Sequence, residues 1–239
     1  MIDSYTNPYV VAHADENTRA GFIRKTYAHL AGAILAFIAI EAALMSIPGI
    51  EETVFGILGV SRWSWLVVLG AFMLVSWLAD KWAHSTTSLG MQYAGLGLYV
   101  VAEAVIFLPL LLMASGFFPG QNLIGKAAII TLGLFGGLTV VAFTTKKDFS
   151  FLGGILKVGF FVALGLIVAG IAFQGFNLGI WFSAAMVLLA GGSILYSTSN
   201  IIHHYQTSQY VAASLGLFAS VALLFWYVLR ILMALSGRD

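Results

Sequence analysis

Seven apolar stretches, each long enough to cross a bilayer, run through most of this chain, and no water-soluble fold accommodates them. A transmembrane helix takes about 20 mostly apolar residues, and such runs are predicted near 27–47, 62–80, 90–114, 124–145, 151–173, 178–201 and 209–233. They are continuous rather than alternating, which excludes a transmembrane barrel. Charged residues make up 9% of the 239 and hydrophobic ones 60%, with a mean hydropathy of +0.97. A soluble domain carries about 25% charged residues, so the solvent of this chain is largely lipid. The predicted fold class is an all-α membrane protein, a seven-transmembrane-helix bundle, with residues 1–25 as a cytoplasmic N-terminal tail and 26–239 as the membrane domain.

Several function classes are excluded at this stage. A net charge of +1 gives no electrostatic footprint for nucleic acid. The chain has no cysteine, so disulfides, thiol catalysis and cysteine metal sites are ruled out together. HExxH, acidic calcium-loop and phosphate-loop motifs do not occur, and no carboxylate is spaced to organise a serine–histidine triad. An enzyme is not expected, nor a cofactor or a metal centre. The polar N-terminal stretch lacks the apolar core and small-residue cleavage site of a signal peptide. Counting Lys and Arg in the loops puts Arg19, Arg24, Lys25, Lys81, Lys146 and Lys147 on one side and Arg62, Lys126 and Arg238 on the other. The positive-inside rule then predicts a cytoplasmic N-terminus.

Local signals divide the chain. Asp15-Glu16-Asn17-Thr18 predicts the start of a short interfacial helix carrying Phe22, Ile23 and Tyr27. Ile47-Pro48-Gly49 and Phe118-Pro119-Gly120 predict turns, since proline cannot continue a helix and glycine relaxes the bend. Trp63, Trp65, Trp77 and Trp82 bracket span two as an interfacial aromatic belt. Glycines in spans four to six suit close helix packing, and Gly95, Gly97 and Pro109 make span three a candidate for bending.

Polar groups in the spans are the candidate functional residues, because a charge at the bilayer centre costs about 2.5–3.5 kcal/mol even on the lenient scale. Glu103 lies about 18 Å along its helix from Met91, at mid-membrane. Glu41 is expected in the outer third, Lys157 in the inner third and Arg230 near the outer end of span seven. These could form structural pairs, Glu41 with Arg230 and Glu103 with Lys157 or a hydroxyl-bearing neighbour. Alternatively, Glu103 lines a hydrated cavity and Lys157 snorkels to the headgroups. In span six Ser193, Ser197, Asn200 and His204 recur at three- and four-residue steps and share a face. Ala213, Gly216 and Ser220 make a matching narrow face on span seven. Together they are read either as hydroxyls bonding back to their own helix or as a polar seam. His29, His203 and His204 fall at the inner ends of spans and are candidate pH sensors.

At TTKKDFSFLGG (144–154), ILYSTSNIIHHY (194–205) and LFASVALLFWYVLRIL (217–232), the chain resembles the transmembrane Bax inhibitor motif family, also called the Bax inhibitor-1 family. More narrowly it is similar to the bacterial YccA- and YetJ-like branch. The resemblance implies that the last of the seven helices is central, with six around it. It also implies a pH-sensitive calcium leak in which two aspartates, one late in span six and one early in span seven, share a proton and latch the pore. Those aspartates fall at Ser197 and Ser220 here, and serine cannot provide the split titration on which such a latch depends. The family further implies a role in restraining a membrane-anchored protease or suppressing cell death, for which residues 1–25 would be the handle.

The leading expectation is an ion-leak or ion-homeostasis protein of a bacterial inner membrane, passing calcium or another cation between spans six and seven with Glu103 on the path. The alternative is a non-conducting regulator of membrane-protein quality control or stress survival. A third reading is a proton-coupled transporter built on Glu103.

Overall fold

The computed structural model describes residues 9–85, 88–145, 147–173 and 178–237. Lys146 and Arg238, both used in the orientation count, and residues 1–8 of the tail lie outside the described residues. Helices dominate: α1 (Glu16–Met45), α2 (Ile50–Gly59), α3 (Ser64–Ala83), α4 (Leu89–Gly116), α5 (Leu123–Thr145), α6 (Leu152–Ala172), α7 (Gly179–His203) and α8 (Tyr210–Ser236). All but α2 are long and apolar enough to cross a membrane. The seven predicted spans therefore correspond to α1 and α3–α8, and the chain is an all-α, multi-pass membrane bundle.

Two elements depart from the expectation. The stretch expected to be a separate interfacial helix is the opening of α1, which starts at Glu16 and runs unbroken for 30 residues. Asp15 caps it, its carboxylate accepting from the Thr18 amide at 3.0 Å. No glycine–proline break follows, so nothing separates this turn from the span. The second departure is α2, which lies in what was predicted to be a plain connection. Glu51 and Glu52 in its first turn favour the positive end of the helix dipole. At ten residues, about 15 Å, it is too short to cross. Gly49 (φ +75°) turns the chain from α1 into α2, and Gly120 (φ +81°) turns it from α4 towards α5, as the proline–glycine pairs predict.

The last helix is central, as the resemblance implies. α8 packs against α1, α3, α4, α5 and α7, and α4 is the other strongly buried helix, whereas α6 is nearly all lipid-facing. Leu217, Leu224 and Leu229 of α8 are fully enclosed. With apolar lipid outside, such packing rests on close contact and small residues rather than on hydrophobic exclusion. The α3–α4 pair shows this best: Gly95 lies against the α3 backbone at Ala79 and Ala83, both fully buried. α4 continues through Pro109 to Gly116.

The end of the bundle at which α1 begins is closed by the chain's first described residues. Tyr9 to His13 lie across the α7–α8 turn: the Val11 amide donates to the Tyr205 carbonyl at 3.0 Å, and the Thr207 amide to the Tyr9 carbonyl at 3.0 Å. Val11 is completely buried. Tyr205 stacks on His84 with ring centres 6.5 Å apart, and burial pushes its hydroxyl up to about 12.

Candidate functional site

The spacing of serines on α7 places them against α8 at mid-membrane. Ser193 Oγ lies 2.8 Å from Ser220 Oγ, and Ser197 Oγ lies 3.4 Å from the same atom. The Ser220 hydroxyl donates to the Gly216 carbonyl one turn earlier, at 2.9 Å. A hydroxyl has one proton and two acceptor lone pairs, so Ser220 receives both α7 serines while giving its own proton to the backbone. Ser220 thus bonds back to its own helix and also meets two α7 serines across the helices. Gly216, one turn before Ser220, has the Tyr205 hydroxyl 3.6 Å from where a Cβ would stand. The network is neutral, and it holds α7 to α8 without an ion or a titrating group.

The seam's other predicted members diverge. Asn200 is half-buried, and its carbonyl accepts the amides of His204 (2.8 Å) and Tyr205 (3.0 Å) to end the helix. His204 Nε2 donates to Asp148 Oδ2 at 3.0 Å, and His203 Nδ1 to the Ser199 carbonyl at 3.1 Å. His29 stands apart on α1, with Nδ1 donating to the Lys25 carbonyl at 2.7 Å and Nε2 2.9 Å from the Tyr93 hydroxyl.

Asp148 is the organising residue that sequence reasoning passed over. One of its oxygens accepts from the Ser150 amide at 2.8 Å and from the Ser199 hydroxyl at 3.2 Å, while the Phe149 amide donates to Ser199 at 2.8 Å. The α5–α6 loop is thereby fastened to the end of α7. The Ser150 amide, followed by the Ser150 and His204 side chains, holds the Asp148 carboxyl down at about 2. A carboxyl lowered on folding adds stability above its ordinary value near 3.8 and loses it as pH falls through about 2, so at neutral pH the fastening is complete. The pair is solvent-exposed, which limits its worth. Asp148→Ala is expected to cost about 1 kcal/mol and to speed amide exchange over 147–152 about fivefold, read by hydrogen–deuterium exchange. The signal available in the sequence was the aspartate inside TTKKDFSFLGG, but its partners lie 51 and 56 positions away.

The predicted intramembrane ion pairs are not formed. Among the described residues the only salt bridges are His84–Asp80 and His204–Asp148. Glu41 is 4% exposed, with no hydrogen-bond partner on either oxygen, and Arg230 is half-buried on α8. Lys157 is on the exposed side of α6 with Ile155, Val158 and Phe161, so it does not meet Glu103. Depth along a helix follows from residue count, but azimuth depends on which neighbours a helix meets.

Glu103 is buried, 6% exposed, between two aromatic residues of its own helix. Tyr99, one turn before it, interacts with its carboxyl and packs edge-on to Phe218. Phe107, one turn after it, meets Phe37 and Trp226. The stripe Tyr99–Glu103–Phe107 thus faces α8 on its Phe218 side. Ser220 is two residues on, about 200° around the helix, so Glu103 and the serine seam flank α8 on opposite sides. Glu103 and the serine seam are thus two separate polar features of the bundle.

A second cluster was invisible in the sequence. The hydroxyls of Tyr27 (α1), Thr139 (α5) and Thr198 (α7) are buried, and the two threonine hydroxyls lie close enough to Tyr27 to interact with it, though not in good hydrogen-bond geometry. One turn outward from Thr139 and Thr198 lie Phe143 and Ile202. With Ala12, Arg19 and His203 they line a cavity of about 310 Å³ at the end where α1 begins. Isolated threonines in apolar helices give no sequence signal. Among the described residues no group of three His, Asp or Glu side chains could hold a metal ion.

An uncharacterised Pseudomonas aeruginosa protein, PA2604, is 33% identical over 231 residues, covering 95% of this chain and 96% of its own. Bax inhibitor 1 of Schizosaccharomyces pombe is 28% identical, over all of this chain and 85% of its own. A protein of Escherichia coli K12 named modulator of FtsH protease YccA is 39% identical over 122 residues, 48% of this chain and 54% of its own. The family described as inhibitor of apoptosis-promoting Bax1 matches residues 19–237, and with its seven spans around a central last helix the chain belongs to the Bax inhibitor family.

Proposed function

We propose that this protein is a non-enzymatic cation leak of the inner membrane, N-terminus in the cytoplasm, whose path follows the α7–α8 seam. The observation that carries this reading is the hydroxyl network of Ser193, Ser197 and Ser220 between the central helix and its neighbour. Hydroxyl oxygens can take over part of a cation's hydration while adding no charge of their own. At the cytoplasmic end the cavity beside Arg19 and His203 is lined also by Phe143 and Ile202, each one turn along its helix from the buried hydroxyl of Thr139 or Thr198. Calcium is the cation the family resemblance suggests. Glu103, on the other side of α8, is off this path, and neither leak nor transport is routed through it.

The chain's lack of cysteine makes the test clean. Ser197→Cys in otherwise unaltered protein is expected to react with a membrane-impermeant cationic thiol reagent, while a cysteine at lipid-facing Val158 stays unlabelled. Equal protection of both positions contradicts a hydrated seam.

A second reading, regulation of a membrane-anchored protease, is supported by the name of the YccA relative. Residues 9–25 are a poorer handle for such a partner than the sequence suggests, because Val11 and Phe22 are buried against the bundle. The exposed α5–α6 loop around Asp148 is the better candidate contact.

A further inference from the structure

A groove of about 460 Å³ runs along the outside of the bundle between α1 and α4. Gly32, Ala33 and Ala36 form one wall and Gly97, Val100 and Val101 the other. A side chain added at Gly32 or Gly97 would meet nothing within 4 Å, so the space is open. At one end the groove finishes on a polar cluster. His29 joins the Lys25 carbonyl to the Tyr93 hydroxyl, Tyr210 packs on His29 with ring centres 5.1 Å apart, and the Lys25 ammonium lies over the Tyr210 ring at 5.3 Å. Lys25 is exposed and forms no salt bridge among the described residues.

From His29 to Ile40 the groove is about 16 Å long, an apolar slot that ends on a cation, which is the order of parts in an acyl chain and its anionic headgroup. The polar end stands at the edge of the apolar part of α1, where headgroups lie, and there it presents a positive charge beside two hydroxyl-bearing rings. Lysine near an anionic lipid surface is attracted to it, and an ammonium resting on a tyrosine ring is held in place for a phosphate. We propose that the α1–α4 groove is a binding site for one anionic phospholipid, an acyl chain lying over Gly32 and Gly97 and the phosphate at the Lys25 ammonium. The lipid belongs to the leaflet on the N-terminal side. The site is independent of conduction through the α7–α8 seam.

The test is native mass spectrometry of the full chain in mild detergent, titrated with phosphatidylglycerol or phosphatidylcholine. One phosphatidylglycerol is expected to bind about fivefold more tightly than phosphatidylcholine, the worth of one lysine at a headgroup. Lys25→Gln should remove that preference and leave phosphatidylcholine binding unchanged. Gly97→Leu, which fills the groove without touching the protein interior, should abolish the tight site for both lipids, and Gly133→Leu on exposed α5 should leave it intact. Soluble glycerol phosphate should not compete. Equal binding of the two lipids by the unaltered chain, or undiminished binding by Gly97→Leu, would overturn the site; competition by glycerol phosphate would replace it with a simple anion site.

Discussion

Gly95→Ala is expected to destabilise the protein by about 3 kcal/mol, at the upper end of the usual range for overpacking. A methyl group at Gly95 would come within 2.5 Å of the Ala79 carbonyl oxygen and the Ala83 amide nitrogen, both backbone atoms. No side-chain rotation can relieve that contact, so α3 and α4 must separate. Ala79 and Ala83 are fully buried, and separation also loses the close packing on which helix association in lipid depends. Gly97→Ala, two residues away, is the control: it faces open space and should be neutral or stabilising by up to about 1 kcal/mol from helix propensity. Chemical unfolding in detergent reads both. Equal stability of the two variants would mean that the α3–α4 contact is looser than described.

The second large effect is expected from placing aspartate at Ser197 and Ser220 together. Their hydroxyl oxygens are 3.4 Å apart, so the longer carboxyl side chains would share one space. Two carboxylates so close cannot both ionise freely, and one is driven to a much higher pKa. While they share a proton they bond across the seam; once it is lost they repel. Cation flux through the double variant is therefore expected to rise about tenfold between pH 6 and pH 8. The single variants, each with one carboxyl beside a hydroxyl, should show much weaker dependence. A double variant that ignores pH would mean that these positions do not gate the path.

The spans, their turns and the serine face were legible because each rests on local chemistry: runs of about 20 apolar residues, proline–glycine pairs, and hydroxyls at helical spacing. What escaped depends on rotation and on distant neighbours. The count of residues placed Glu103 at mid-membrane but could not show that it is buried beside Tyr99 on a stripe that meets α8 at Phe218. It gave Glu41 and Arg230 comparable depths and no means of seeing that they do not pair. Asp148 sat in a recognised loop, yet its role depends on Ser199 and His204, which only the folded chain brings to it. The helix α2 was hidden because ten apolar and acidic residues after a glycine read equally well as a loop.

The most direct test of the leak is calcium entry into dye-loaded liposomes that contain only this protein, measured beside protein-free liposomes and beside Ser197→Cys before and after the impermeant thiol reagent. Entry well above the protein-free rate is expected, cut sharply when the reagent occupies position 197. Entry no faster than in protein-free liposomes would contradict conduction and leave partner binding as the function of this fold.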